Sequence, residues 1–187
     1  MASRVGLEGL SIGTLADALG ISKSGLFAHF RSKEALQAQV VEHVAGRFLE
    51  LVIKPAMAAP RGEPRLRTVF ERWMAWPKES AMQGGCFMVA AATELDDRPG
   101  PARDVLVRQQ QDWLDLLANV VRSAVVEGHF KESVDPDQFA FELYGIVLAY
   151  HLSTRLLENP AAEARAHAAF ESLVANCRGQ ITTVAHA

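Results

Sequence analysis

A chain of 187 residues, 49% of them apolar, can bury a full core, and a net charge of −3 excludes binding to polyanions by bulk charge alone. The balance is uneven: residues 1–33 carry Arg4, Lys23, Arg31 and Lys33 against Glu8 and Asp17, which is +2 and leaves −5 for the rest. No apolar run reaches the roughly 18 residues of a membrane span and no signal peptide is visible, so a cytoplasmic protein with no membrane partner is expected.

In chain order the punctuation is that of helices, with no alternating strand pattern and no hairpin dipeptide. Ser11 is placed to cap a helix whose inner face is Ile12, Leu15, Ala16 and Leu19, and Gly20 to end it in the left-handed conformation. Ser22 caps the next, with Leu26 and Phe30 inward and Ile21 at its entrance. Ser32 precedes a long helix with Glu34 in its first turn, which Pro55 is expected to close. Pro64 starts another; Pro77 interrupts it and Gly84-Gly85 ends it. "CFMVAAATEL" is a short apolar helix that stops at "DDRPGP". From Ala102 a longer helix carries Leu106, Trp113, Leu117, Val120 and Ala124, with Gly128 beyond its end. "DPDQ" reads as a capping box and "NPAAE" as an Asn cap with proline before an Ala-rich final helix. The fold class is all-α: a helix-turn-helix head over 1–45, then a helical body over 46–187.

Ala16, Gly20 and Leu26 follow the small, turn, apolar order of a helix-turn-helix. What stays outside on the second helix is small, basic or ring-bearing: Lys23, Ser24, Phe27 and Ala28. Such a helix suits the major groove, where its first residues reach base edges while free N–H groups at its start favour phosphate. Thr14, Ser22, Lys23, Ser24, Gly25, Phe27, Ala28, His29 and Lys33 are therefore the candidate contacts to double-stranded DNA. Arg31 is either a flank contact or a solvated charge.

"TLADALGISKSGLFAHFRSKEALQAQVV" closely resembles the DNA-binding segment of TetR-type transcriptional regulators, and "GGCFMVAAATELDDRPGPARD" resembles the ligand-binding half of one subgroup. The resemblance implies a ligand-responsive homodimeric regulator, most often a repressor, acting on an operator. Two departures stand out. Phe27 replaces the family's tyrosine. Only "MASRV" stands where the family has a full first helix, so the segment is expected to have lost its beginning, or Leu7, Leu10, Leu15 and Leu19 to lack a packing partner. The alternative is a helical dimer that binds a small molecule or protein and no DNA.

In the body, large soft side chains gather around helix breaks. Trp76, Phe87, Met88, Gln110 and Trp113 are the candidate lining of a pocket for a small apolar or aromatic ligand, although each alone fits an ordinary core. The helix at 136–157 is apolar nearly all round. It needs a layer on both sides, which a second copy is expected to supply, the alternative being a helix fully internal to a monomer. Tyr144, Leu148, Leu152, Ala166, Phe170 and Leu173, from that helix and the one at 161–177, are the candidate dimer interface. Cys86 and Cys177 read as reduced, buried thiols. There is no Ser/His/Asp order, phosphate loop or metal-ligand spacing, and Asp96 and Asp97 suit a turn. No enzyme, catalytic residue, metal or cofactor is expected.

Overall fold

The computed structural model describes residues 1–179, and among them every regular element is helical. The helices are α1 (Ala2–Val5), α2 (Ile12–Leu19), α3 (Lys23–Phe30), α4 (Lys33–Phe48), α5 (Lys54–Met57), α6 (Glu63–Ala75), α7 (Phe87–Leu95), α8 (Pro101–Val126), α9 (Pro136–Arg155) and α10 (Ala162–Cys177). By contacts they form two compact units. One is Met1–Pro55 with Val69–Trp113; the other, among the described residues, is Ala56–Thr68 with 114–179.

In the first unit, capping chemistry sets the boundaries of the head. The Ser11 hydroxyl accepts the Thr14 N–H at 3.0 Å, while the Thr14 hydroxyl accepts the Ser11 N–H at 2.9 Å. Gly20 adopts φ 66°, ψ 30°, and its N–H closes the helix on the Ala16 carbonyl. Ser22 and Ser32 cap α3 and α4 through the N–H groups of Gly25 and Ala35. Ala16 is fully buried, as a close α2–α3 crossing requires.

The structure corrects the expected head core at several places. Leu19 and Ile21 are exposed, because α2 and α3 are each eight residues long and their contact closes around Ala16 and Leu26. Leu15 is half-buried. Leu7 and Leu10, by contrast, do find a core: both are buried, and the buried Gln37 amide donates to the Leu7 carbonyl at 2.8 Å. The opening segment is also pinned. Ser3 Oγ donates to the Ala81 carbonyl at 3.1 Å and accepts the Gly84 N–H at 3.3 Å.

Pro55 does not close the helix that begins at Lys33. Between α4 and α5 the backbone widens into a π segment, Leu49–Ile53, and Lys54 N–H reaches back to the Leu49 carbonyl. In a regular 3.6-residue helix each step of four overshoots a turn by ~40°. Val44, Phe48, Val52 and Ala56 follow one another at that step, and the wider turns offset the drift. Val44, Val52 and Ala56 are buried and Phe48 half-buried. The extra room also carries Pro55, whose ring would clash with the preceding turn of an ordinary helix interior.

In the second unit, α9 and α10 pack along each other. Asp135 caps α9 by accepting the N–H groups of Asp137 and Gln138, with Pro136 in the first turn. The α10 cap lies earlier than a simple Asn cap: Asn159 Oδ1 accepts the Ala161 N–H at 2.9 Å, and the helix starts at Ala162. Glu63, at the start of α6, ties this unit together. Its carboxylate receives Arg67 at 2.8 Å and also Arg178, while Arg67 reaches Glu171 on α10.

Candidate nucleic-acid interface

On α3 only Leu26 is buried; Phe30 is half-buried. Lys23, Ser24, Gly25, Phe27, Ala28 and His29 are all exposed, and Phe27 shows 58% of its surface. An aromatic ring so exposed on a short helix has little to gain from water, whereas sugar and base edges offer it contact. The polar groups on this face are lightly held. Lys23 stands 3.7 Å from Asp17, Ser24 Oγ donates to Ser22 Oγ at 3.4 Å, and the His29 ring meets Phe30 edge-on. Ser22 and Thr14 spend a hydroxyl lone pair on capping, accepting the N–H groups of Gly25 and Ser11, which leaves their oxygens at helix starts where backbone N–H groups also point outward.

Lys33, in the first turn of α4, is engaged. Its Nζ donates to both the carboxylate Oε1 and the backbone carbonyl of Glu8, each at 3.0 Å. Arg98, from the turn after α7, reaches the other carboxylate oxygen of Glu8 at 3.0 Å. The Glu8 N–H donates to Glu94 Oε2 at 2.9 Å. The hydrogen bond and charge of Lys33, followed by the charge of Arg98, hold the Glu8 carboxyl below its ordinary range. Sequence reading did not bring Glu8 or Arg98 to this place. They are 90 positions apart, and no spacing rule links them.

The family description "Bacterial regulatory proteins, tetR family" matches residues 1–40, and "Tetracyclin repressor-like, C-terminal domain" matches residues 62–170, more than half of the chain. The chain belongs to the TetR family. It is a transcriptional regulator of that family, with its DNA-binding part at the amino-terminal end. Solved structures share the fold. A TetR-family regulator from Cytophaga hutchinsonii superposes with a TM-score of 0.81 at 19% identity, covering 95% of this chain and 88% of that one. One from Agrobacterium tumefaciens gives 0.80 at 17% identity, covering 95% and 92%. AibR, crystallised with isovaleryl coenzyme A and operator DNA, gives 0.69 at 20% identity, covering 95% and 91%. No curated protein matches the sequence.

The body residues of this TetR-family chain sort by burial. Trp76, Phe87 and Trp113 are buried, while Met88 and Gln110 are half-buried. Phe48 meets both Trp76 and Trp113 edge-on, at 5.4 and 4.8 Å between centroids, and Trp73 meets Trp113 at 4.9 Å. The indole N–H of Trp113 is buried without a hydrogen-bond acceptor, whereas that of Trp76 faces the Cys86 thiol. Cys86 is buried beside Trp76, and its thiol is pushed up, first by that burial.

In the other unit, Leu148 and Leu152 are 40% and 51% exposed, continuing a stripe from Phe141 and Gly145. Tyr144 and Leu173 are half-buried. Ala166 and Phe170 face inward instead. Phe170 is 1% exposed, with the Arg67 guanidinium 5.8 Å above its ring. The buried stripe of α10 is Ala162, Ala166, Phe170 and Val174, so the outward face is one step round, at Arg165, Ala169, Ser172 and Leu173. A groove of about 690 Å³ runs between that face and Gly145, Ile146 and Ala149 of α9.

Proposed function

We propose that this regulator is a ligand-responsive, homodimeric repressor of the cytoplasm, with residues 1–45 as the DNA-reading head and 46–187 as the ligand-binding and dimerising body. The observation that carries the DNA reading is the α3 face: six of its eight residues are exposed, small, basic or aromatic, around one buried anchor. Lys23, Ser24 and Ala28 read base edges; Thr14, Ser22, Gly25, Phe27, His29 and Lys33 meet sugar and phosphate.

Dimerisation places two such helices on one duplex. The supporting observation is the exposed stripe of Leu148 and Leu152 beside the small-residue groove of α9 and α10. Tyr144 and Leu173 border it, while Ala166 and Phe170 support it from the core.

The ligand reading places a small apolar or aromatic molecule among Trp76, Phe87, Met88, Gln110 and Trp113. The buried indole N–H of Trp113, without an acceptor, supports it, because a buried donor left unpaired costs about 1–3 kcal/mol that a ligand acceptor can recover. AibR, a protein of the same fold, was captured with an acyl coenzyme A as well as its operator. Ligand and DNA then oppose each other through their differential affinity for two conformations of the body.

The test is binding of the chain to DNA from upstream of its own gene, against a mixed-sequence duplex at moderate salt. Preference for the former is expected, and Ser24→Ala should relax it at one base pair in each half-site. Equal binding to both, with a dimer by light scattering and stabilisation by apolar compounds, would favour the ligand-binding dimer that does not read DNA.

A further inference from the structure

Glu8 presents one carboxylate to two cations from distant parts of the chain. Lys33 takes Oε1 and Arg98 takes Oε2, both at 3.0 Å, so their charged groups lie within one carboxylate and two hydrogen bonds of each other. All three side chains are substantially solvent-exposed. The arrangement does not serve burial, and exposed pairs of this kind stabilise a fold by at most about 1 kcal/mol each. Its geometry is that of a two-cation cradle for an oxyanion, occupied by the chain's own carboxylate.

The other charges near by do not occupy the cradle. Glu94 turns Oε2 to the Glu8 N–H, Asp96 accepts the N–H of Asp97, and Arg103 is held by the Asp96 carbonyl. Glu8 itself is fixed at its backbone from both sides, by Glu94 on its N–H and by Lys33 on its carbonyl. Only its side chain is free to leave.

We propose that Glu8 is an internal competitor for the DNA backbone: a phosphate displaces its carboxylate from Lys33 and Arg98, and Arg98, outside the helix-turn-helix, is thereby a second phosphate contact. The inference rests on the DNA-binding reading above and adds to it a residue from the region after α7. The competitor lowers affinity for all sequences alike, because it acts on phosphate-binding groups that carry no sequence information. It leaves base preference to α3.

Fluorescence anisotropy on a labelled mixed-sequence duplex, between about 50 and 200 mM salt, tests this directly. Arg98→Ala should weaken binding and reduce the log–log salt slope by about one. Glu8→Gln should tighten binding about two- to fivefold, the strength of an exposed ion pair. In a Lys33→Ala/Arg98→Ala background the Glu8→Gln gain should vanish. Arg98→Gln, which keeps a donor for Glu8 without the charge, should match Arg98→Ala, with an unchanged melting temperature as the control for folding. Two results would overturn the assignment while the DNA reading stands: Arg98 variants with wild-type affinity and slope, or a Glu8→Gln gain undiminished in the double variant. If the wild-type chain binds no duplex at the lowest salt, both fall.

Discussion

The backbone carbonyl of Ser3 lies against Gly84 so closely that a Cβ on that glycine would stand 1.4 Å from the oxygen. No side chain can be accommodated there without moving one backbone or the other. Gly84→Ala should therefore loosen the opening segment from the turn after α6 at a cost of about 1–3 kcal/mol, as for other overpacking changes. For a chain of this size that lowers the melting temperature by roughly 2–4 °C per kcal/mol. Thermal melts of the variant, with faster hydrogen exchange at Leu7 and Leu10, would check it.

Leu148→Glu and Phe170→Ala should separate assembly from folding. Leu148 is exposed on α9, so the wild type is expected to run as a dimer by light scattering and a charge at Leu148 to give a folded monomer. Phe170 is buried within the protomer, so its truncation should cost about 3–5 kcal/mol of stability.

Acid should act through Glu63. Hydrogen bonds from Arg178 first, and from Arg67, lower its pKa from 4.5 to about 2. Because the folded value lies below the unfolded one, its contribution is complete above about pH 4.5 and is lost as pH falls toward 2. Melting temperatures measured across that window should fall more steeply for wild type than for Glu63→Gln, which starts lower at neutral pH.

Arg31 ends α3 at φ 65°, ψ −38°, a region that suits glycine. Relief of that strain, of about 1–2 kcal/mol, is partly offset by the greater freedom of glycine in the unfolded chain. Arg31→Gly should raise stability by a net of about 0.5–1 kcal/mol. Denaturant titration is the measurement.

Local chemistry is readable in the sequence. Ser11, Ser22 and Ser32 cap the helices they precede, Gly20 turns the motif, and the alternation of Leu26 with exposed neighbours comes from period alone. The features hidden from a sequence reading depend on partners far away in the chain. Leu19 and Leu7 look alike as apolar positions near the start, yet one is exposed and the other is buried under a Gln37 hydrogen bond. Pattern puts Phe170 on the right helix but on the wrong side of it, because an Ala-rich helix gives little contrast between faces. The Glu8 cradle leaves no trace in spacing, since Arg98 reaches it across ninety residues. Pro55 misleads for a different reason: a proline rule written for α-helices does not anticipate a π turn just before it.

That π segment sets how this chain can vary in length. A widened turn is what remains when a regular helix absorbs one additional residue without unfolding. Deleting a single residue between Leu49 and Ile53 would return the backbone to ordinary winding and leave the helix just beyond it close to its present phase about the axis. Ala56 would stay near the buried line, while the Pro55 ring would meet a regular helical turn. Elsewhere along α4 a one-residue deletion rotates the helix beyond it by ~100° and leaves the widened turn in place. The stretch from Leu49 to Ile53 is thus the place where insertion and deletion are not equivalent, since one residue can leave it without turning the line of Val44, Phe48, Val52 and Ala56.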